Sequence, residues 1–413
     1  MDKPQNRCPV RHDFNPFAPP IRDNPHPFFA DARAQTPVFF SELLQMFVVT
    51  RYEDVQTVLM DSKHFSSRGS ISARLGASPE ARAVLDAGGY VDPTLLNLDS
   101  PEHDAWRGVY FNLFSQRSVA KMAPTIRQVA NRLVDAFVNE EKVDFASRFG
   151  VPLPLNTILT LLGVPLDKAE EIKRSSSSTI ALAFGGDPSQ QVANAHAVVA
   201  QQEFLVDLVQ RRRADPRDDI ISFLAKTVPQ EIPGATDAQI ASLLVELMVA
   251  GNETTTVMLC HLMHLLLVKP ERWEALRAKP EHIPLAIEEA LRMEPAAVGL
   301  ARVVREQVEL GGVTLPAGAK VLWSMLSANR DESVYEDAHT FDMHRAQPKP
   351  HLAFGRGIHF CAGAPLARLE LQISLETLLE RLPQARLAPG SDFTHLPSLL
   401  RVMPELHLIV RPT

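Results

Sequence analysis

The chain has 413 residues, 45% hydrophobic and 22% charged, proportions that fit a folded globular protein and exclude disordered and low-complexity classes. Its 42 basic and 49 acidic side chains leave a net charge of −7, opposite to the basic footprint of a nucleic-acid binder, so no nucleic-acid partner is expected. Three scattered cysteines, Cys8, Cys260 and Cys361, exclude a disulfide framework and suit a reducing cytoplasm.

Residues 1–36, rich in proline and polar groups, read as an irregular arm, and residues 37–413 as one domain. Met1 to Pro9 lacks the basic start and apolar run of a signal peptide, so a cytoplasmic location is expected. Val38–Phe40 and Phe47–Thr50 are short β-type runs joined by a turn, and a helical pattern with Val55, Val58 and Leu59 on one face follows Tyr52. Ser66 to Asn97 has no clear period and reads as a long loop. From Pro101 to Leu291 the pattern is mainly helical, with breaks near Gly163, near Gly185 and between Val228 and Thr236. Val303 to Leu322 switches to β character around Gly311-Gly312, helix returns after Gly363, and Leu399 to Val410 reads as irregular β. The fold class is mainly α with a smaller β region, without repeats or a domain linker.

One helix stands out. Thr236-x-x-Gln239 is a capping box, and the apolar run after it continues to Val268, where Lys269-Pro270 stops it. About 32 residues at 1.5 Å each give roughly 48 Å, long for a globular helix. Its most apolar stretch, Ile240 to Gly251, is interrupted by Glu246 and followed by Asn252 and Glu253, so no membrane anchor is expected. In its middle lies Ala250-Gly251-Asn252-Glu253-Thr254-Thr255, polar where a core helix is apolar. The Thr254 hydroxyl can bond the carbonyl of Ala250 and loosen the local ladder. Glu246, in apolar surroundings, either faces a substrate chamber and holds a polar or cationic group, or pairs with an arginine of a neighbouring helix.

Phe354-Gly-Arg-Gly357-Ile-His359-Phe-Cys361-Ala-Gly363 precedes an amphipathic run containing Leu366, Leu369 and Ile373. Cys361 therefore stands at a helix N-terminus, where free N–H groups and the dipole favour an anionic sulfur. Gly357 and Gly363 remove side chains around it, which would let backbone approach a flat ligand. The glycines lack the third member of a dinucleotide loop, and His359 with Cys361 lacks a second zinc ligand pair. A lone cysteine here is also compatible with a small buried apolar residue.

These ten residues match the haem-binding loop of the cytochrome P450 family, and the chain from about Pro37 onward resembles that family in three further motifs. The resemblance implies a P450 fold and haem b, with Cys361 as iron ligand and Phe354, Gly357, Gly363, Ala250 and Gly251 against the cofactor. It implies that Thr254 hydrogen-bonds the oxygen being activated and that Glu253 relays protons. His103, Arg107, Arg302 and His359 match positions that hold the haem propionates. Glu289 and Arg292, three apart on a helix, resemble the family's structural Glu-x-x-Arg pair. Its third partner is often an arginine before the following phenylalanine, but here Thr340 precedes Phe341, which leaves that member open. Leu96, Val249, Val298 and Leu399 occupy substrate-lining positions.

The implied activity is that of a monooxygenase using dioxygen and two externally supplied electrons to hydroxylate, epoxidise or dealkylate a mainly apolar small molecule. No flavin or iron–sulfur motif is visible, so a ferredoxin or flavodoxin with its reductase is the expected partner, docking near Arg356, Arg117 and Lys121, on a monomer. The alternatives are a peroxide-driven haem-thiolate peroxygenase and a non-catalytic haem or gas sensor.

Overall fold

The computed structural model describes residues 8–92, 95–345, 349–391 and 393–411. Most of the segment read for a leader, residues 1–7, lies outside them. The core is organised around the helix Asp237–Leu267, 31 residues long. The Thr236 hydroxyl accepts the Gln239 N–H, and the Gln239 side chain accepts the Thr236 N–H at 2.9 Å, so the capping box forms as read. This central helix is long and apolar enough to cross a membrane, but 78% of its most apolar window is buried inside the fold. Around it pack the helices Pro152–Leu162, Ala169–Phe184, Gln191–Ala214 and Ala364–Arg381.

The β region is a five-stranded sheet in the order Val38–Ser41, Met46–Val49, Lys320–Trp323, Leu300–Val304, Phe65–Ser66. Met46–Val49 and Lys320–Trp323 run parallel; the other neighbours are antiparallel. Arg302 is held opposite Val321 in this register. The hairpin Val308–Leu310/Val313–Leu315 turns at Gly311, whose φ of 56° is left-handed and where an added Cβ would lie 2.6 Å from a Val38 methyl. Close to the C-terminus, His407–Ile409 pairs with Lys142–Asp144 and with Arg386–Leu387.

Three expectations are corrected. Residues 26–35, assigned to the irregular arm, form a helix whose Phe29 and Ala32 are buried; Phe14, Phe28 and Phe39 pack in one aromatic cluster with it. The loop from Ser66 to Asn97 contains the helix Pro79–Ala87, capped by the Ser78 side chain on the Ala81 N–H, with Ala81 and Leu85 inward. The break after Val228 falls later, because Pro229 lies within the helix Ile220–Glu231.

The Glu-x-x-Arg pair is fully internal. Arg292 donates to both Glu289 oxygens at 2.8 Å and through Nη1 to the carbonyls of Asn329 and Ala338. The open third position is filled by Arg345, whose Nε reaches Glu289 Oε1 at 3.2 Å. Thr340 contributes its backbone carbonyl, accepting from Arg292 and Arg345 at 3.3 and 2.7 Å.

Candidate active site

Between the central helix and the cysteine loop lies a cavity of about 320 Å³. Cys361, His103, Arg107, Arg302, His359 and Thr254 all face it, from four segments of the chain. Phe354, Gly363, Ala250 and Gly251 line it as well.

The cysteine loop is shaped by its own backbone. The Cys361 N–H donates to the Phe354 carbonyl at 2.9 Å, and the helix Ala364–Arg381 starts just beyond Gly363. The sulfur is open to the cavity but surrounded by protein. Burial raises its thiol pKa; the N–H groups of Gly363 and Ala364 and the charges of Arg107 and Arg368 pull it down. Those opposing groups suit a thiolate bound to a metal cation, which would deprotonate the sulfur outright. Gly357 has a different role from the one expected. Its φ is 72°, and a Cβ there would come 2.7 Å from the Leu59 carbonyl, so it admits the neighbouring helix, Tyr52–Met60, rather than a ligand.

Donors converge at one end of the cavity. His103 is buried, its Nδ1 lies 3.3 Å from Asp104, and its Nε2 is buried without a hydrogen-bond partner. The His103 and His359 rings are 4.2 Å apart, and His359 Nε2 contacts the Ser67 hydroxyl at 2.9 Å. Burial, with Arg302 and His103 alongside, pushes His359 down to about 3. Arg302 is buried too, bonded through Nη1 to the Ala301 carbonyl, and burial lowers its guanidinium to about 10. Arg107 donates to the Phe360 carbonyl at 2.7 Å. Two guanidiniums and two neutral imidazoles held this close, with an orphaned imidazole nitrogen among them, have the donor chemistry of a receptor for two carboxylates. The residues present therefore fit a haem with its propionates at this end.

Across the cavity, the Thr254 hydroxyl donates to the Ala250 carbonyl at 2.7 Å, as its spacing suggested. Glu253 is mostly buried and pairs with Lys173 Nζ at 2.6 Å, a partner the local sequence does not reveal. Glu246 lines the cavity, and among the described residues no arginine pairs with it. Burial pushes it up to about 8, against N–H donation from Leu95 and Leu96. Glu370, not foreseen, also lines the cavity, lies beside Thr255 and Thr157, and is pushed up to about 8 by burial.

Leu96 and Val249 line the chamber, but Val298 and Leu399 do not. Both are buried in a separate cluster with Phe14 and Phe29. Val298 N–H bonds the Leu399 carbonyl at 2.8 Å and Ala297 bridges Leu400. Because extended chain alternates its side chains, Ala297 and Leu400 take the chamber face instead. Of the residues expected at a docking face, Arg117 and Lys121 are exposed, whereas Arg356 is half-buried and bonds Gln56 at 3.2 Å.

Comparisons with known proteins show the family. The sequence profile of the family described as Cytochrome P450 matches residues 186–386. The chain is 38% identical over 346 residues to mycinamicin IV hydroxylase/epoxidase of Micromonospora griseorubida, covering 83% of each protein. It is 35% identical over 379 residues to nocardicin C N-oxygenase of Nocardia uniformis subsp. tsuyamanensis, covering 90% of this chain and 92% of that one. Among solved structures, cytochrome P450 CREJ in complex with (4-ethylphenyl) dihydrogen phosphate superposes with a TM-score of 0.91 at 32% identity, over 97% of this chain and all (100%) of that one.

Proposed function

The chain belongs to the cytochrome P450 family, and from that premise we propose that Cys361 supplies the thiolate for its haem b and that the chamber beyond oxidises a mainly apolar small molecule. Family membership makes the protein a monooxygenase, an oxidoreductase that inserts one oxygen atom of dioxygen. The observation that carries the assignment of roles is the shared cavity: one sulfur, one polar break in the central helix and four donor side chains face the same space.

Bound there, haem supplies dioxygen binding and O–O cleavage, which electron release from a thiolate favours. The protein's part is to hold charge and move protons. The N–H groups of Gly363 and Ala364 stabilise negative charge on the Cys361 sulfur. His103, Arg107, Arg302 and His359 fix the propionates, and the free His103 Nε2 supplies one of the donors. The Thr254 hydroxyl, parked on the Ala250 carbonyl, presents its oxygen to the cavity. Glu253 links partly exposed Lys173 to the cavity wall, so its carboxylate can take a proton from the solvent side and release it inside. The apolar remainder of the wall excludes water and favours an apolar substrate. Two electrons arrive from a separate ferredoxin or flavodoxin with its reductase, docking near exposed Arg117 and Lys121.

The haem-loaded protein is expected to give the thiolate-type ferrous–carbonyl spectrum, and Cys361→Ser to lose it. Substrate-dependent consumption of NADH with ferredoxin and its reductase is expected in the wild type. Turnover with hydrogen peroxide and none with the electron-transfer partners would replace dioxygen chemistry by the peroxygenase reading.

A further inference from the structure

Glu246 has an unusual setting for a buried acid. Its Oε2 accepts the Leu95 N–H at 3.1 Å, and the Leu96 N–H also donates to the carboxylate. Among the described residues no lysine, arginine or histidine pairs with it. Tyr90 and Tyr110 line the same cavity, and burial, with a smaller contribution from the Glu246 charge, raises both phenols. The basic side chain nearest to Tyr90, Arg74, lies over its ring at 4.9 Å and is already paired with Asp86 and Asp92.

The carboxylate is also held in place. One helical turn earlier, the Ser242 hydroxyl donates to the Asp92 carbonyl at 2.8 Å. Gln202, on the neighbouring helix Gln191–Ala214, accepts the Val91 N–H at 3.0 Å and donates to the Val91 carbonyl at 3.2 Å. Three side chains thus fasten backbone groups of Val91, Asp92 and Leu95. Burial keeps the free acid largely protonated at pH 7, and an ammonium seated on the chamber side would draw it to the carboxylate, which the two backbone N–H donors complement. Tyrosine rings in the same cavity add faces suited to an ammonium.

We propose that Glu246, Tyr90 and Tyr110 form an amine-recognition subsite, so that the preferred substrate carries a cationic nitrogen at one end and is oxidised at an apolar carbon at the other. This rests on the monooxygenase reading of the chamber. Glu246 lies eight residues before Thr254, roughly 12 Å along the helix, so nitrogen and reacting carbon are separated by a span of roughly ten methylene groups. An ammonium would compensate the charge that burial otherwise disfavours, and the hydrogen bonds that hold Val91, Asp92 and Leu95 in place lower the entropy lost on binding.

The test uses the haem-loaded protein with two probes of equal length, N,N-dimethyldecylamine, cationic at pH 7, and uncharged decyl methyl ether. Binding is read by calorimetry and by the haem absorbance. The wild type is expected to bind the amine about tenfold or more tighter than the ether, with a shift to shorter wavelength showing the alkyl end at the haem. Glu246→Gln keeps a carbonyl for the Leu95 N–H and is expected to bring the two probes within about twofold by weakening the amine alone. Equal affinities in the wild type, a preference that survives in Glu246→Gln, or a shift to longer wavelength from nitrogen on iron would each overturn the proposal. The wild-type comparison needs no variant to fold. A thiolate-type carbonyl spectrum without charge preference defeats only the amine subsite; absence of that spectrum defeats the reading of the whole site.

Discussion

Glu289 and Glu246 are both buried carboxylates, yet the regions around them treat charge in opposite ways. Glu289 is clamped by Arg292 and Arg345, and nearby Glu294 receives Arg330 at 2.7 Å, His26 at 2.6 Å and Arg401 at 3.2 Å, cations that hold its carboxyl well below the usual range. In the chamber, Glu246 and Glu370 have no basic partner among the described residues, and burial pushes each up to about 8. Acids on the first side are saturated by the chain's own arginines, and their geometry is complete before anything binds. Acids on the second side stay open, at a cost in stability that architecture alone does not explain. The difference separates groups that brace the molecule from groups that await a ligand or a proton.

The strongest way to break this contrast is to remove a clamp. Arg292→Ala leaves Glu289 inside with only Arg345 and frees two backbone carbonyls, and is expected to cost about 3–5 kcal/mol in urea unfolding. A loss below about 1 kcal/mol would place Glu289 on the same footing as the chamber acids. Glu253, half clamped by Lys173, tests the boundary between the regions. Glu253→Gln is expected to slow product formation about a hundredfold with an unfolding midpoint close to wild type, since Lys173 is 26% exposed and can be hydrated. An unchanged rate would return Glu253 to the structural group. Arg345→Ala should do less than Arg292→Ala, about 1–2 kcal/mol, because Arg345 gives Glu289 one bond and otherwise caps the carbonyls of Glu336, Asp337 and Thr340.

The two regions were also unequally legible in the sequence. Cys361, Gly363, Thr254 and the capping box at Thr236 are governed by neighbours a few residues away, so spacing sets their place on the helices, while the roles of Cys361, Gly363 and Thr254 rest on the family resemblance. Arg345 was hidden because its partner is 56 residues distant across irregular chain, and Lys173 because it meets Glu253 from 80 residues away. Val298 and Leu399 failed for another reason. In extended chain the face a side chain takes depends on pairing register, and a shift of one residue moved the chamber role to Ala297 and Leu400. Glu246 was noticeable as a charge in an apolar helix, but the helix alone could not decide between an arginine and a cavity. That choice depends on the backbone N–H of Leu95, 151 residues away in sequence, which no local pattern reveals.

The smallest expected effect, a gain at pH 8, tests the open acids through stability. Glu370 has an ordinary pKa of 4.5 and a folded value of about 8, so the folded state keeps its proton where the unfolded chain has lost it. Below pH 4.5 both states are protonated and burial of the neutral acid carries no ionisation penalty. As pH rises from 4.5 to 8, only the unfolded chain ionises, and stability drains away until the folded carboxyl ionises too. Glu370→Gln removes this titration but buries an amide beside the Thr255 and Thr157 hydroxyls, which offsets much of the gain. The variant is expected to fall about 3 kcal/mol below wild type near pH 4, where only the buried amide counts, and to exceed it by about 1 kcal/mol at pH 8, read by urea unfolding at both values. A difference that is constant with pH would mean that Glu370 ionises alike in both states, and would move it to the side of Glu289. The sign separates the regions as well, since the clamped Glu294, with its folded pKa lowered, loses its contribution as pH falls and not as it rises.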